Sequence, residues 1–202
     1  DFAYLDYMQG DGVIEPPVYA SLRLKKTYQF DPVPKEIDKK LIKGGQANLW
    51  TEQVYNTRHL QYMIWPRAFA IAEVLWSPKP ARPSSGEKRN WSNFTSRVES
   101  HFDRLEAAGV KYSPAMYDPI FEVSKKDTAT IIVKLSTEIV GLAIHYSFDN
   151  SFPDNFYPAY TSPLTVPKDA SFLKVITYRN NKPVGRMMVM PIAELKKRAG
   201  IK

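Results

Sequence analysis

Trp50 and Glu52 close the segment Leu41-Ile-Lys-Gly-Gly-Gln-Ala-Asn-Leu-Trp-Thr-Glu52, and their types suit carbohydrate. A flat indole packs on the apolar C–H face of a sugar, and a carboxylate accepts from its hydroxyls. The two can act together only if they face one side. A β-strand achieves this at a spacing of two, because its side chains alternate. The segment reads as such a strand: Ile42 opens a short apolar run, and Gly44 and Gly45 admit close approach of other chain. The plainer alternative is a core tryptophan beside a surface glutamate.

The elements around this segment follow from periodicity and punctuation. Residues 1 to 7 read as the end of a strand and its loop, and Ser21 to Tyr28 as a short helix. Asn56 or Thr57 can cap a helix running to Trp76, with Leu60, Met63, Ile64, Ala68, Ile71, Ala72 and Leu75 at helical spacing. Pro66 inside it predicts a kink or break. Pro78 to Gly86 is loop chemistry. Asn90 and Gly109 bracket a further helix whose stripe is Trp91, Phe94, Val98, Phe102, Leu105 and Ala108.

After Pro119 the period changes to two. Thr130–Leu135, Leu142–Ser147, Leu164–Val166, Phe172–Tyr178 and Met187–Met190 are strand-like, with Asn180-Asn181 at a hairpin turn. This spacing predicts a small antiparallel β-sandwich. Ile192 to Ala199 closes as a helix ending at Gly200.

Composition narrows the function classes. Of 202 residues, 44% are hydrophobic and 13% aromatic, a globular balance that suits one or two domains. The absence of cysteine excludes disulfides and thiolate metal sites, and His59, His101 and His145 have no metal-ligand spacing. No metal is expected. No run of 18 apolar residues spans a membrane. The net charge of +7 comes from dispersed pairs such as Lys25-Lys26 and Lys125-Lys126, without the interleaved aromatics of a nucleic-acid groove. We read it as solvated surface, with no nucleic-acid partner.

Several blocks in order carry a resemblance: Tyr4-Leu-Asp-Tyr-Met-Gln-Gly-Asp11, Glu15-Pro-Pro17, Tyr28-x-Phe-Asp-Pro-x-Pro34, Gly44-Gly-Gln-Ala-Asn-Leu-Trp-Thr-Glu52, Tyr62-Met-Ile-Trp-Pro-Arg-Ala-Phe-Ala-Ile-Ala-Glu73 and Val74-Leu-Trp-Ser77. Together they resemble the last third of the catalytic domain of glycoside hydrolase family 20, the β-N-acetylhexosaminidases. Residues 121–202 are similar to the β-rich module that follows this domain in many bacterial members. The resemblance implies an α/β plus all-β chain: residues 1–120 as the C-terminal part of a (β/α)8 TIM barrel, and 121–202 as a sandwich module. A complete barrel needs about 250 residues.

The resemblance also implies roles. Tyr4 would donate to the carbonyl of the substrate's N-acetyl group and orient it for attack on the anomeric carbon, the catalytic role assigned in this segment. Asp6 and Glu52 would bind hydroxyls of the terminal sugar, and Trp50 would line the acetamido pocket. Tyr7, Trp65 and Trp76 are expected in the core, and Arg67 and Glu73 as ion-pair partners.

The family places its acid/base pair on an upstream Asp-Glu dipeptide after Gly-Gly. No Asp-Glu dipeptide occurs in this sequence. The resemblance implies a parent that is a retaining, substrate-assisted exo-β-N-acetylhexosaminidase acting on terminal N-acetylglucosamine or N-acetylgalactosamine, of which this sequence is expected to be a C-terminal part. It would use no cofactor and be periplasmic or secreted. Expected partners are the glycan, the N-terminal part of the parent, and further copies through the incomplete barrel. The rival reading is a carbohydrate- or protein-binding β module using Phe152, Phe156, Tyr157 and Tyr160.

Overall fold

The computed structural model describes residues 2–33, 36–77, 89–127 and 130–201. The chain parts into two compact units, Asp1–Ser113 and Pro114–Lys202. The sequence places the change of period at 120.

In the first unit, α1 (Leu24–Tyr28) lies within the expected short helix. The long apolar period then divides into α2 (Thr57–Ile64) and α3 (Arg67–Trp76), with the break at Pro66. Proline has no N–H to continue the ladder. Asn56 caps α2 by accepting from the His59 N–H at 2.9 Å. Helix α4 (Trp91–Ala107) starts where Asn90 accepts from the Asn93 N–H at 2.9 Å, and Gly109 follows it at φ +66°. Its stripe buries Trp91, Phe94, Val98 and Phe102, while Leu105 is half-buried and Ala108 exposed. Tyr28 stacks on Phe94 with ring centroids 4.2 Å apart, which ties α1 to α4. The loop expected from Pro78 to Gly86 lies outside the described residues.

Two expectations fail here. Trp76 is 89% exposed, not core. It stands two residues, about 200°, around the helix from buried Val74. Arg67 is fully buried but makes no ion pair among the described residues. It donates to the carbonyls of Leu5 (2.7 Å), Met63 (2.8 Å) and Leu22 (3.1 Å). Burial pulls its guanidinium down to about 10, so it stays charged at neutral pH.

The break at Pro66 leaves the last carbonyls of α2 without helical partners. Arg67 takes one of them. The buried Gln9 amide donates to the carbonyls of Tyr62, Met63 (3.3 Å) and Trp65 (3.0 Å). Gln9 is itself held by Glu15, which accepts from its N–H at 2.9 Å and from the Tyr62 hydroxyl at 2.5 Å. Glu73 does form the expected ion pair, with Arg97 at 2.7 Å.

The second unit holds two antiparallel sheets. One orders β1 (Ile120–Lys125), β2 (Ile131–Ser136) and β4 (Leu164–Thr165) as β1-β2-β4, where β3 denotes Ala143–Ser147. The other centres on β5 (Phe172–Arg179), with β3 along one side and β6 (Lys182–Pro183) and β7 (Met188–Pro191) in succession along the other. Asn180 and Asn181 have φ +51° and +61°, the left-handed pair that a tight hairpin needs. Helix α5 (Ile192–Arg198) closes the chain, with Gly200 at φ +69°. β1 was not expected; none of its residues is buried, so its alternation is weak. Asp118, fully buried, is gripped by the Arg186 N–H and Nε, each at 2.9 Å.

Candidate functional site

The strand expected from Gly44 to Glu52 does not form. Among the described residues only Asn48 pairs, in a parallel bridge to Tyr4: the Leu5 N–H donates to the Asn48 carbonyl at 2.7 Å, and the Asn48 N–H to the Ala3 carbonyl at 2.9 Å. Glu52 lies in a turn. Strand alternation therefore does not fix Trp50 and Glu52 on one face. A strand exists by its ladder, and a single bridged residue does not hold nine in pleated register.

The bridge nonetheless brings the two candidate segments side by side. A second parallel bridge, Met8 to Ser21, draws in the loop before α1, with the Met8 N–H donating to the Ala20 carbonyl at 2.9 Å. Arg67 pins the segment between its two candidates, since its Leu5 acceptor sits between Tyr4 and Asp6.

Each candidate then has its own surroundings. Tyr4 is half-buried and its ring stacks on Tyr7 at 5.4 Å. Tyr7 is half-buried and touches the Tyr19 ring at 6.1 Å. Asp6 is only 4% exposed, and its Oδ1 has no hydrogen-bond partner among the described residues. Glu52 is exposed and accepts from the Tyr19 hydroxyl. That bond, with smaller effects of the Glu52 and Asp6 charges, raises the Tyr19 hydroxyl above the ordinary tyrosine range. Trp50 is 58% exposed, and no described ring stacks on it. The structure thus gathers Tyr4, Asp6 and Glu52 around Tyr7 and Tyr19, and leaves Trp50 presented to solvent.

Sequence reasoning missed Tyr19. It follows Pro16-Pro17-Val18, where no periodicity marks it, and its φ of +46° is unusual for a residue with a side chain. Among the described residues no group of three His, Cys, Asp or Glu could hold a metal ion. In the second unit Phe156 is 90% exposed and Phe152 is also exposed, while Tyr157 and Tyr160 are half-buried.

Residues 1–79 match the family model described as glycosyl hydrolase family 20, catalytic domain, and residues 133–190 match one described as Fn3 associated. A β-hexosaminidase of Porphyromonas gingivalis is 29% identical over 171 residues, covering 80% of this chain and 20% of that protein. One of Akkermansia muciniphila is 33% identical over 103 residues, covering 50% and 20%. Among solved structures, a family 20 exo-β-N-acetylglucosaminidase of Vibrio harveyi in complex with N-acetylglucosamine is 35% identical, with a TM-score of 0.46 over 55% of this chain and 17% of that one. The chain spans about a fifth of the length of these two β-hexosaminidases. By its sequence the chain is similar to the catalytic domain of glycoside hydrolase family 20 over residues 1–79 and to β-hexosaminidases over 80% of its length.

Proposed function

We propose that residues 1–113 supply one side of the sugar site of an exo-β-N-acetylhexosaminidase, as part of a TIM barrel completed by chain outside this sequence. The observation that carries this reading is Asp6: a carboxylate 4% exposed with one oxygen unpartnered. A buried acceptor without a donor costs about 1–3 kcal/mol. A sugar hydroxyl would offset that cost.

In this reading Tyr4 donates to the acetamido carbonyl and holds it near the anomeric carbon, where geometry lowers the barrier. The mechanism is retaining and substrate-assisted, so the acetamide is the nucleophile. Asp6 and Glu52 accept from hydroxyls of the terminal sugar, and Trp50 packs against its acetamido side. An upstream Asp-Glu pair orients the acetamide and acts as acid and then base. The substrate is a glycan ending in N-acetylglucosamine or N-acetylgalactosamine, and the enzyme acts in the periplasm or outside the cell. The second unit is a sandwich module appended to the barrel. Exposed Leu41, Tyr55 and Trp76 support contact with the rest of the barrel or with another copy.

Two measurements test this. The purified 202-residue chain should not release nitrophenol from a nitrophenyl N-acetylglucosaminide above background, because no Asp-Glu pair is present to move the proton. Turnover by material free of host glycosidase refutes it. In the complete enzyme, Glu52→Gln removes the charge that strengthens the bond to a hydroxyl. Glu52 is exposed, so the loss in kcat/KM should sit at the low end for a charged partner, about 1.5 kcal/mol or roughly tenfold. A value within twofold of wild type means that Glu52 does not touch the sugar.

A further inference from the structure

Glu52 has three rotatable side-chain bonds, lies in a turn and is exposed. A carboxylate so placed samples many orientations, and ordering it on a ligand has an entropic cost. One contact removes that freedom: the Tyr19 hydroxyl donates to Glu52 Oε2 across 33 residues of chain. The other oxygen, Oε1, is left for a second donor.

Tyr19 is itself anchored. The residues after it are pinned to the Tyr4–Gly10 segment by the Leu22 N–H donating to the Met8 carbonyl at 2.8 Å, and by the Ser21 hydroxyl on the Gly10 carbonyl at 3.1 Å. Its ring leans on Tyr7, which stacks on Tyr4. Its backbone sits at φ +46°, a conformation with a steric cost for any residue bearing Cβ, and held where its surroundings demand it. At 62% exposure the side chain contributes little to a core.

We propose that Tyr19 is a positioning residue for the sugar site: its hydroxyl holds the Glu52 carboxylate in the orientation that receives a sugar hydroxyl, while its ring registers that carboxylate against Tyr7 and Tyr4. This rests on the sugar-binding reading of Glu52. The hydroxyl is suited to the task, because the Glu52 bond raises it above the ordinary tyrosine range and keeps it a donor at neutral and mildly alkaline pH. A contact made equally in ground and transition states acts on KM rather than kcat. Loss of Tyr19's grip should therefore appear in KM.

The test is a double-mutant cycle in the complete enzyme, assayed with a nitrophenyl N-acetylglucosaminide. Tyr19→Phe keeps the ring and removes only the hydroxyl. It should raise KM three- to fivefold, leave kcat within twofold and leave the thermal midpoint unchanged. Glu52→Gln should lose about tenfold in kcat/KM, and the double variant should stay within twofold of Glu52→Gln alone. The proposal is overturned if Tyr19→Phe matches wild type while Glu52→Gln loses its tenfold. It is also overturned if the two losses multiply, or if Tyr19→Phe lowers kcat with KM unchanged, as loss of folded enzyme would. Glu52→Gln at wild-type activity instead overturns the sugar-binding reading of Glu52, and this inference with it. Should Tyr19→Phe fold poorly, Tyr19→His retains a ring and a donor, and recovery of KM in that variant decides the question.

Discussion

Arg67→Met should unfold the first unit under conditions in which the native chain is stable. Methionine fills much of the same volume but donates nothing. The carbonyls of Leu5 and Leu22 would lose their guanidinium donors in a buried setting, and Met63 would keep only the 3.3 Å contact from Gln9. Each orphaned buried acceptor costs about 1–3 kcal/mol, so the two together cost about 2–6 kcal/mol, a large fraction of a domain's stability. Removing a buried charge returns some of its desolvation cost, which sets a limit on the loss. Amide hydrogen exchange gives the readout: protection should fall across α2, α3 and the Tyr4–Met8 segment, while β2 and β5 stay protected. Unchanged protection in the first unit would mean that the carbonyls find other donors and that Arg67 is not the tie.

Asp6→Asn in the complete enzyme should separate activity from stability. Asp6 is buried, where a charge-assisted bond is stronger than at the surface. The loss in kcat/KM should therefore lie near the top of the range for a charged partner, about 3 kcal/mol, or more than a hundredfold. Oδ1 has no partner to lose, so the thermal midpoint should hold or rise, as is common where a site is kept for function at a cost in stability. If activity and midpoint fall together, Asp6 holds the fold and the hydroxyl-binding role fails.

What could be read in advance depended on how local the cause was. Asn56, Pro66, Asn90 and Gly109 act through their own backbone and nearest turn, and each ends or starts a helix where its chemistry requires. The period of two located β2, β3, β5 and β7, and Asn180-Asn181 supplied the positive φ of the β5–β6 hairpin. The misses are non-local. The stretch before Glu52 has strand composition but a partner at Asn48 alone, and pairing is decided by the partner. Arg67 stands among apolar residues on α3, and a guanidinium there invited an acid; the acceptors turned out to be peptide carbonyls 45 and 62 positions away.

For the candidate site, sequence blocks single out Tyr4, Asp6, Trp50 and Glu52 as candidates, whereas nothing in them marks Tyr19, whose hydroxyl donates to Glu52. That contact depends on a left-handed backbone at one residue and on a partner 33 positions on. Neither leaves a trace in composition or spacing.

The donors at the α2–α3 break have a consequence for how this sequence can vary. Gln9 and Arg67 bind peptide carbonyls at residues 5, 22, 62, 63 and 65. Every amino acid carries that carbonyl. Substitution at any of the five positions leaves the acceptor chemistry intact, so apart from Tyr62, whose hydroxyl also holds Glu15, those sites are answerable only to packing. The donors have no such latitude: lysine cannot span three diverging carbonyls with one ammonium point, and glutamate in place of Gln9 offers no N–H at all. Mutational tolerance across this joint is thus lopsided, wide at the places that receive and narrow at the two that give.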